Sequence, residues 1–338
     1  MQQTAVKQAW QVILADAITD VNDLLCELHL ETANITTLST TDSPFGLRVP
    51  RGFVSRMQKG NPNDPLLLQV LPLNQELQLH SAFSTDPLSE SQSQPVPGLL
   101  HKYHGRVLLT LVGHCAIHCR YCFRRHFPYE PTHTHDQRSQ LVLDYIRSHP
   151  SIHEVILSGG DPLLVKDEGL SEWVERLADI PHVRRLRIHT RLPIVIPERI
   201  NETLIEWLTR TRLQPIVVIH CNHANEIDDT VIKAMKQLRE AQITVLNQSV
   251  LLKNVNDSSE ALIHLSEALF SAGVMPYYLH LLDRVQGSAH FEVSESEAVQ
   301  LVRHMAERLP GYLVPKLVRE VAHAPAKVGI SLSGAHIK

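Results

Sequence analysis

The sequence predicts an α/β fold in which parallel strands form an open, partial (β/α)6 barrel. From Arg106 onward, short runs rich in Val, Ile and Leu alternate with amphipathic helical stretches. After the first unit the strands recur about every 30 residues, which is the length of one strand–helix unit. Strands buried on both faces and joined by helices are typical of parallel sheets. Six such strands are fewer than the eight of a closed barrel, so we expect an open one.

The 338 residues are expected to form three segments. Residues 1–98 predict a helical N-terminal extension, with helical patterns at 6–18 and 21–30, that ends in the linker-like run "SESQSQPVPG" at 89–98. The barrel is expected at 99–290. A short C-terminal segment occupies 291–338.

Individual elements follow from hydrophobic periodicity. Predicted strands lie at 106–113, 154–160, 183–190, 215–221, 244–252 and 275–283, and predicted helices lie at 137–148, 170–180, 198–211, 228–241 and 258–272. A last helix is expected from 294 to 309, because Ser294 and Glu297 form a capping-box pattern and Pro310 ends the helix. The run "GYLVPKLVRE" after it is strand-like.

Composition excludes several classes of protein. The apolar content of 43% and charged content of 20% are ordinary for a globular protein, and the net charge of −4 provides no basic field for nucleic acid or an anionic membrane. No apolar run approaches the roughly 18 residues of a membrane span, and the N-terminus lacks the pattern of a signal peptide. Five cysteines, odd in number and mostly clustered, favour a reducing cytoplasm and a metal or redox role.

Three of the cysteines, Cys115, Cys119 and Cys122, follow the first predicted strand with the spacing C-x3-C-x2-C. Thiolates are soft ligands that suit zinc or iron–sulfur clusters. A structural zinc site needs four ligands, and a nearby histidine could complete a Cys3His set: His114, His118 or His126. On a [4Fe–4S] cube, three cysteines leave one iron open for a substrate or cofactor. We favour this second interpretation.

The second predicted strand ends in "SGGDP" at 158–162. Two glycines allow a backbone to approach a ligand closely, although such a turn alone is typical of any strand–helix connection. Its position one strand after the cysteine loop, where chemistry gathers in α/β folds, predicts a cofactor site. The other two cysteines, Cys221 beside His220 and His223, and Cys26 on an amphipathic helix, are predicted to be core thiols.

The two motifs resemble those of the radical S-adenosylmethionine (SAM) superfamily, whose members build them on a partial (β/α)6 barrel. The resemblance implies a [4Fe–4S] cluster whose open iron binds the amino and carboxylate groups of SAM, and one-electron cleavage of SAM. The protein then supplies orientation and excludes water. The resemblance suggests these SAM contacts: Ser158, Gly159, Gly160 and Asp161, with Gln248 and His220 as secondary candidates.

Seven collinear stretches resemble the lysine 2,3-aminomutase family, and especially its bacterial members that serve β-lysylation of elongation factor P. They are "HKYHGRVLLTLVGHCAIHCRYCFRRHF", "VILSGGDPL", "RIHTRLPIVIPERI", "HCNHANEID", "LNQSVLLKNVND", "MPYYLHLLDRVQGSAHF" and "GYLVPKLVRE". The resemblance implies an isomerase that converts free L-lysine to β-lysine with pyridoxal phosphate (PLP) as second cofactor. It also implies a flavodoxin-like electron donor and a ligase that attaches β-lysine to elongation factor P.

The resemblance assigns the Schiff-base lysine of PLP to Lys327. The preceding loop reads Ala-His-Ala-Pro-Ala, whereas many relatives have a Gly-rich loop. Lys316 is the competing candidate. The PLP phosphate is expected at Lys102 and Arg106 by the same pattern.

The substrate has two charged ends. Arg124 matches the family position that grips the α-carboxylate, and Arg125 is the neighbour that could be mistaken for it. Asp283 and Glu320 match the positions that hold the ε-ammonium group. An acidic pair there disfavours glutamate as the substrate.

Two alternatives remain open from the sequence. One is a radical SAM aminomutase acting on a different amino acid, which the altered loop before Lys327 keeps open. The other is a non-catalytic, zinc-stabilised binding module. A homo-oligomer is possible, but the chain has no cysteine after Cys221 of the kind that longer relatives use for zinc-mediated subunit contact.

Overall fold

The computed structural model describes residues 8–31, 38, 45–127 and 135–332. One nine-stranded sheet dominates it, with strands in the order of the chain. The strands are β1 (Leu99–Tyr103), β2 (Arg106–Val112), β3 (Glu154–Gly159), β4 (Arg185–Thr190), β5 (Gln214–Ile219), β6 (Thr244–Val250), β7 (Met275–His280), β8 (Lys316–Arg319) and β9 (Val328–Gly329).

Strands β2 to β8 pair in parallel, and β1 and β9 add antiparallel at the two ends. The linear order makes the sheet an open partial barrel, as predicted. All six predicted strands are confirmed, and the strand-like run near the C-terminus supplies a seventh parallel strand, β8. The sequence analysis missed β1, which forms a hairpin with β2 across His104 and Gly105, with Gly105 at φ +76°, and the two-residue β9.

Ten helices were identified in the described ranges. They are α1 (Ala9–Ala15), α2 (Val21–Glu27), α3 (Arg51–Val54), α4 (His135–Ser148), α5 (Asp167–Ala178), α6 (Leu192–Val195), α7 (Glu202–Thr209), α8 (Asp229–Glu240), α9 (Ser259–Ser271) and α10 (Glu295–Arg308). The predicted helices of the barrel are confirmed to within four residues at each end. The capping box of α10 forms as expected: the backbone N–H of Glu297 donates to Ser294 Oγ at 3.2 Å, and that of Ser294 donates to Glu297 Oε2 at 3.0 Å.

The N-terminal residues share a core with the barrel. Leu24 of α2 and Phe53 of α3 belong to the same buried cluster as Leu157 of β3 and Val217 of β5. The extension therefore lies against the helical layer and strands of the barrel, close to the cysteine loop. Within the described ranges, no helix combines the length and apolar character that crossing a membrane requires.

The two cysteines outside the motif behave differently. Cys221 is buried in the core, as predicted, and its Sγ donates to the backbone carbonyl of His223 at 3.4 Å. The prediction that Cys26 is a core thiol is wrong, because Cys26 is exposed. On α2 the buried face is formed by Leu24 and Leu25, and Cys26 lies beyond it.

Candidate active site

A cavity of about 530 Å³ lies inside the barrel. It is lined by every site residue that the sequence suggests: Lys102, Arg106, Cys115, Cys119, Cys122, Arg124, Ser158, Gly159, Gly160, Asp161, His220, Gln248, Asp283, Glu320 and Lys327. Most of the positions on the barrel lie at or just after the carboxyl end of a parallel strand, and this brings them to the same wall. Lys102 and Arg106 are different, because both lie toward the amino end of β2.

The cysteine loop is fastened from outside the barrel. Arg120, between the second and third cysteines, is fully buried and forms two hydrogen bonds with Glu76, from Nε at 2.8 Å and from Nη2 at 2.6 Å. Arg125 donates to the same carboxylate at 2.7 Å. Burial alone would raise the pKa of Glu76, but the two guanidinium groups hold it below its usual value. This N-terminal carboxylate therefore anchors the loop that carries the thiols.

The glycine-rich turn supports the same loop. The backbone N–H of Asp161 donates to the carbonyl of His114 at 3.0 Å. A Cβ atom on Gly160 would lie 2.3 Å from that carbonyl oxygen, and Gly159 adopts φ +108° with Thr110 Cβ 2.9 Å from where its own Cβ would be. Glycine is required here because the cysteine loop and β2 approach so closely, in addition to any contact with a cofactor.

Asp161 has a structural task that the sequence did not reveal. Its carboxylate accepts hydrogen bonds from Thr190 Oγ1 at 2.7 Å and from the backbone N–H groups of Arg191 and Leu192 at 2.8 and 3.0 Å. Burial raises its pKa, against these hydrogen bonds. Asp161 thus joins the ends of β3 and β4. Its predicted contact with SAM stays a prediction.

A chain of alternating charges crosses the cavity. Lys327 Nζ lies 2.6 Å from Glu320 Oε2, and Lys102 Nζ lies 2.9 Å from Glu320 Oε1. The hydroxyl of Tyr103 also donates to Glu320 Oε1, at 3.0 Å. Burial would raise the pKa of Glu320, but the two ammonium groups outweigh burial and hold it far below its usual value. Glu320 is therefore an anion between two cations.

Glu90 continues this chain, and sequence reasoning missed it. It lies 3.6 Å from Lys102 Nζ and accepts two hydrogen bonds from Arg124, at 2.7 Å from Nε and 2.9 Å from Nη2. Arg124 Nη1 also donates to Ser158 Oγ at 3.2 Å. Glu90 belongs to the run that the sequence suggested to be a linker. Its surroundings there, Ser, Gln and Pro, gave no signal of burial.

Asp283 faces the cavity from the segment after β7. Burial and the nearby Glu320 carboxylate raise its pKa to about 7, against the opposing effect of Lys327 and Lys102. Two carboxylates therefore share one region, with Glu320 ionised and Asp283 close to half-protonated at neutral pH. Such a pair is suited to hold an additional cation.

Three histidines of the wall are uncharged. Burial lowers the pKa of His220 to about 3, so its Nε2 accepts the hydrogen bond from Gln248 Nε2 at 2.8 Å. Burial also places the pKa of His189 and of His280 well below the usual value. The Nε2 atoms of both are buried and lack a hydrogen-bond partner among the described residues. Such orphaned polar atoms at a cavity wall fit a ligand that supplies their partners.

The two competing candidates lie elsewhere. Lys316 is exposed at the start of β8 and does not line the cavity. Arg125 points away from the cavity, where it donates to Glu76 and to the carbonyl of Gly287 at 3.2 Å. The structure thus brings Lys327 and Arg124 into the cavity and leaves their neighbours outside.

The three thiols line one cavity, as the ligands of one cluster must. In the part of the chain that the structure describes, no three side chains of His, Cys, Asp or Glu are grouped to hold one ion. In a [4Fe–4S] cluster each cysteine binds a different iron, so its thiols need not meet at one ion. Burial raises the pKa of Cys115, and that of Cys122 to about 11, so loading a metal there must release protons. His118 and His126 are bonded instead to the backbone carbonyls of Gly46 and Gln286.

A second missed residue is Arg191, at the end of β4. Its Nη1 donates to Cys119 Sγ and to the hydroxyl of Tyr121, both at 2.7 Å. Its Nη2 donates to Gln69 at 2.7 Å and to Glu226 at 3.1 Å. This buried cation lies beside a thiol that is predicted to bind the cluster. Arg191 lies in the stretch "RIHTRLPIVIPERI", but no feature of that stretch indicates a contact with Cys119.

Comparison with known proteins agrees with this arrangement. A model of the radical SAM superfamily matches residues 109–266. The chain is 52% identical to the L-lysine 2,3-aminomutase of Escherichia coli (strain K12), over 97% of this chain and 96% of that protein. It is 49% identical to the L-lysine 2,3-aminomutase of Haemophilus influenzae, over 95% of each chain. The enzyme of the same name from Buchnera aphidicola is 45% identical, over 97% of this chain and 96% of that protein.

The superfamily match covers β3 to β6 and most of β2, and the similarity to the relatives extends over both the N-terminal segment and the loop that carries Lys327. The chain therefore belongs to the L-lysine 2,3-aminomutase family, which consists of isomerases of the radical SAM superfamily.

Proposed function

We propose that this protein converts free L-α-lysine to β-lysine by 1,2-amino migration, with a [4Fe–4S] cluster, SAM and PLP as cofactors. The observation that carries the proposal is the composition of one cavity. Three thiols, a lysine, an arginine and two carboxylates, all suggested separately from the sequence, line the same space of about 530 Å³. The names of relatives with up to 52% identity support lysine as the substrate.

The cluster site would be formed by Cys115, Cys119 and Cys122, with SAM beside Ser158 to Asp161. SAM on the cluster supplies abstraction of a hydrogen atom, and PLP supplies the π-system that makes migration of an amino group accessible. Lys327 is the residue that would hold PLP, because its Nζ lies inside the cavity with 20% of the side chain exposed. Lys102 and Arg106 supply positive charge for the phosphate.

The remaining charges suit the two ends of lysine. Arg124 can hold the α-carboxylate with parallel hydrogen bonds. Asp283 and Glu320 lie together at another part of the wall and provide negative charge for the ε-ammonium group. The same pair would repel the side-chain carboxylate of glutamate. Two fixed ends would hold the reacting carbon in one place, which is the main contribution that positioning makes to rate.

The walls of the cavity would also limit access of water to the reacting atoms. Its walls are strands of the barrel, and the loop between Glu320 and Lys327 joins them at one side. Exclusion of water protects reactive species from side reactions. No general acid–base pair is required for migration of the amino group.

We further infer that the β-lysine is used to modify elongation factor P, that a flavodoxin-like protein delivers the electron, and that the protein acts in the cytoplasm. The support is the resemblance of the sequence to the bacterial aminomutases of that modification, together with an odd number of clustered cysteines, which suits a reducing compartment.

The test is an anaerobic incubation of the reconstituted protein with SAM, PLP, dithionite and L-lysine, with β-lysine measured by mass spectrometry. We expect β-lysine that disappears when SAM or PLP is omitted. Cleavage of SAM without β-lysine would contradict lysine as the substrate, and parallel incubations with other amino acids would then identify it. A protein with an intact cluster that does neither would refute the proposal.

A further inference from the structure

We propose that Glu90 is a positioning residue that fixes the guanidinium group of Arg124 in the orientation that receives the substrate's α-carboxylate. This inference rests on the proposed function, because it concerns how the same site binds lysine. The sequence gives no reason to expect it, since Glu90 lies in the run "SESQSQPVPG".

The geometry of the contact is specific. The carboxylate of Glu90 meets the edge of the guanidinium formed by Nε and Nη2, at 2.7 and 2.9 Å. A guanidinium has five N–H donors in a rigid plane, and two parallel bonds to one edge fix that plane. The third nitrogen, Nη1, is thereby directed to Ser158 Oγ at 3.2 Å, on the strand that ends in the glycine-rich turn. The guanidinium group of Arg124 is thus fixed at the cavity wall between Glu90 and Ser158.

Burial makes the contact strong. Glu90 is only 3% exposed, and the side chain of Arg124 is 8% exposed. Charge-assisted hydrogen bonds away from water are roughly twice as strong as neutral ones and are little screened. A carboxylate so deeply buried would be costly without its cationic partners.

The backbone around Glu90 is built to hold it. Asp86 accepts hydrogen bonds from the N–H of Glu90 at 3.0 Å and of Ser91 at 3.3 Å. Ser89 adopts a left-handed conformation with φ +50° at the start of the short helical turn of residues 90–93. A non-glycine residue in this region costs about 1–3 kcal/mol and persists only where the surroundings enforce it. The strained backbone of Ser89 therefore lies directly before the residue whose buried side chain contacts Arg124.

Glu90 also links the two ends of the site. Its Oε1 lies 3.6 Å from Lys102 Nζ, which in turn contacts Glu320. The carboxylate thus stands between a cation predicted for the PLP phosphate and a cation predicted for the substrate. Removing its charge weakens the two charge-assisted hydrogen bonds that fix the guanidinium plane of Arg124, while Lys102 keeps its contact with Glu320.

The variant that tests this is Glu90→Gln, which keeps the size of the side chain and removes its charge. We expect KM for lysine to rise about ten- to a hundredfold, in line with the loss of one or two charge-assisted hydrogen bonds, and kcat to change far less. Glu90→Asp, which keeps the charge at a shorter reach, should restore part of the loss. Gln92→Ala, an exposed neighbour in the same turn, is the matched control and should leave KM unchanged.

Two further measurements separate positioning from a general structural role. Inhibition by 1,5-diaminopentane, which is lysine without its carboxylate, should be nearly equal for wild type and Glu90→Gln. In an Arg124→Lys background, Glu90→Gln should have little additional effect, because the group that it orients is gone.

An unchanged or lower KM in Glu90→Gln, with the wild type active, would overturn the inference while leaving the proposed function intact. Inhibition by diaminopentane that weakens in Glu90→Gln by the same factor as KM for lysine rises would also overturn it. A wild type that makes no β-lysine with a full set of cofactors would instead overturn the proposed function on which the inference rests.

Discussion

Glu320 Oε2 lies 2.6 Å from Lys327 Nζ, so two residues that the sequence suggests for different ligands are each other's partner in this structure. The observed contact of Glu320 with Lys327 and its proposed contact with the substrate involve the same chemistry. The side chain of Lys327 ends in the same primary ammonium group as free lysine. A carboxylate that pairs with Lys327 therefore has the charge that the proposed contact with the ε-ammonium of free lysine needs. Occupation of Lys327 by PLP would release Glu320 for that second task.

Replacing Lys327 with alanine should abolish binding of PLP while the cluster remains. Among the described residues, two lysines line the cavity, Lys102 and Lys327. Lys102 is assigned to the phosphate, so Lys327 is the amine proposed for covalent capture of PLP. The measurement is reduction of the PLP-loaded protein with borohydride, followed by peptide mass spectrometry. We expect the adduct on Lys327 in the wild type, no adduct in the variant and equal iron content in both.

Lys316→Ala is the matched control, because Lys316 is exposed at the start of β8 and lies outside the cavity. It should keep both the adduct and the turnover. An adduct on Lys316 in the wild type would show that the assignment of the PLP lysine is wrong.

The pKa of Asp283 predicts a pH-dependent affinity for lysine. Burial and the neighbouring Glu320 raise this pKa to about 7, so Asp283 is protonated and neutral below that pH and becomes an anion above it. Between about pH 6 and pH 8, kcat/KM for lysine should rise, because only the anion attracts the ε-ammonium group. Asp283→Asn should flatten this rise and lower kcat/KM on its alkaline side.

The same shift has the opposite effect on stability. The folded-state pKa of Asp283 lies above its unfolded value, so the folded protein binds more protons between about pH 4 and pH 7. Asp283 therefore favours the folded state less as the pH rises through this window. A melting temperature that falls less steeply with rising pH in Asp283→Asn than in wild type would agree.

Two results would contradict the role of Asp283 in binding lysine. One is a wild-type kcat/KM that is flat from pH 6 to pH 8, and the other is a rise of equal slope in wild type and Asp283→Asn.

The strands, the helices and the cysteine loop could be predicted because each has a local signal, such as apolar periodicity, a capping pair or a fixed cysteine spacing. Glu90 and Arg191 could not, because their importance comes from partners that are distant in sequence. Glu90 meets Arg124 across 34 residues, and Arg191 meets Cys119 across 72. The prediction for Cys26 was wrong for a local reason: the buried stripe runs through Leu24, Leu25 and Leu28, and Cys26 lies on the other side of the helix.

Replacing Cys122 with alanine should remove the cluster and all production of β-lysine. Two thiols would remain for a cluster that is held by three, and two ligands do not close the site. Iron and sulfide per chain, measured after anaerobic reconstitution, check this. Cys26→Ala should keep full iron content, since Cys26 is exposed on α2 and distant in sequence from the motif. Full iron loading in Cys122→Ala would refute the assignment.

Gly160→Ala should reduce loading of the cluster without removing any thiol. An added Cβ would lie 2.3 Å from the carbonyl oxygen of His114, which is backbone and cannot turn aside. Forced overpacking of this kind typically costs about 1–3 kcal/mol, and here it would displace the residue next to Cys115. Gly52→Ala is the control, because nothing lies within 4 Å of its added Cβ. Equal iron content in Gly160→Ala and wild type would show that the turn does not support the loop.

Glu76→Gln should destabilise the cysteine loop from a position in the N-terminal segment. The side chain of Glu76 is 3% exposed and pairs with Arg120 and Arg125, so the substitution removes the negative charge that both buried guanidinium groups share. Removing one partner from a buried ion pair typically costs about 3–5 kcal/mol. We expect a lower melting temperature and faster loss of iron to a chelator.

The control for Glu76 is Glu292→Gln, which removes the carboxylate of a solvent-exposed pair with Arg284 at 2.7 Å. Exposed pairs contribute about 0–1 kcal/mol, so this variant should match the wild type in both measurements. If Glu76→Gln lowers the melting temperature but leaves the rate of iron loss unchanged, the network supports the fold of the N-terminal segment only. If chelation is faster while KM for lysine is unchanged in the loaded enzyme, the carboxylate acts on the cluster loop and not on the substrate.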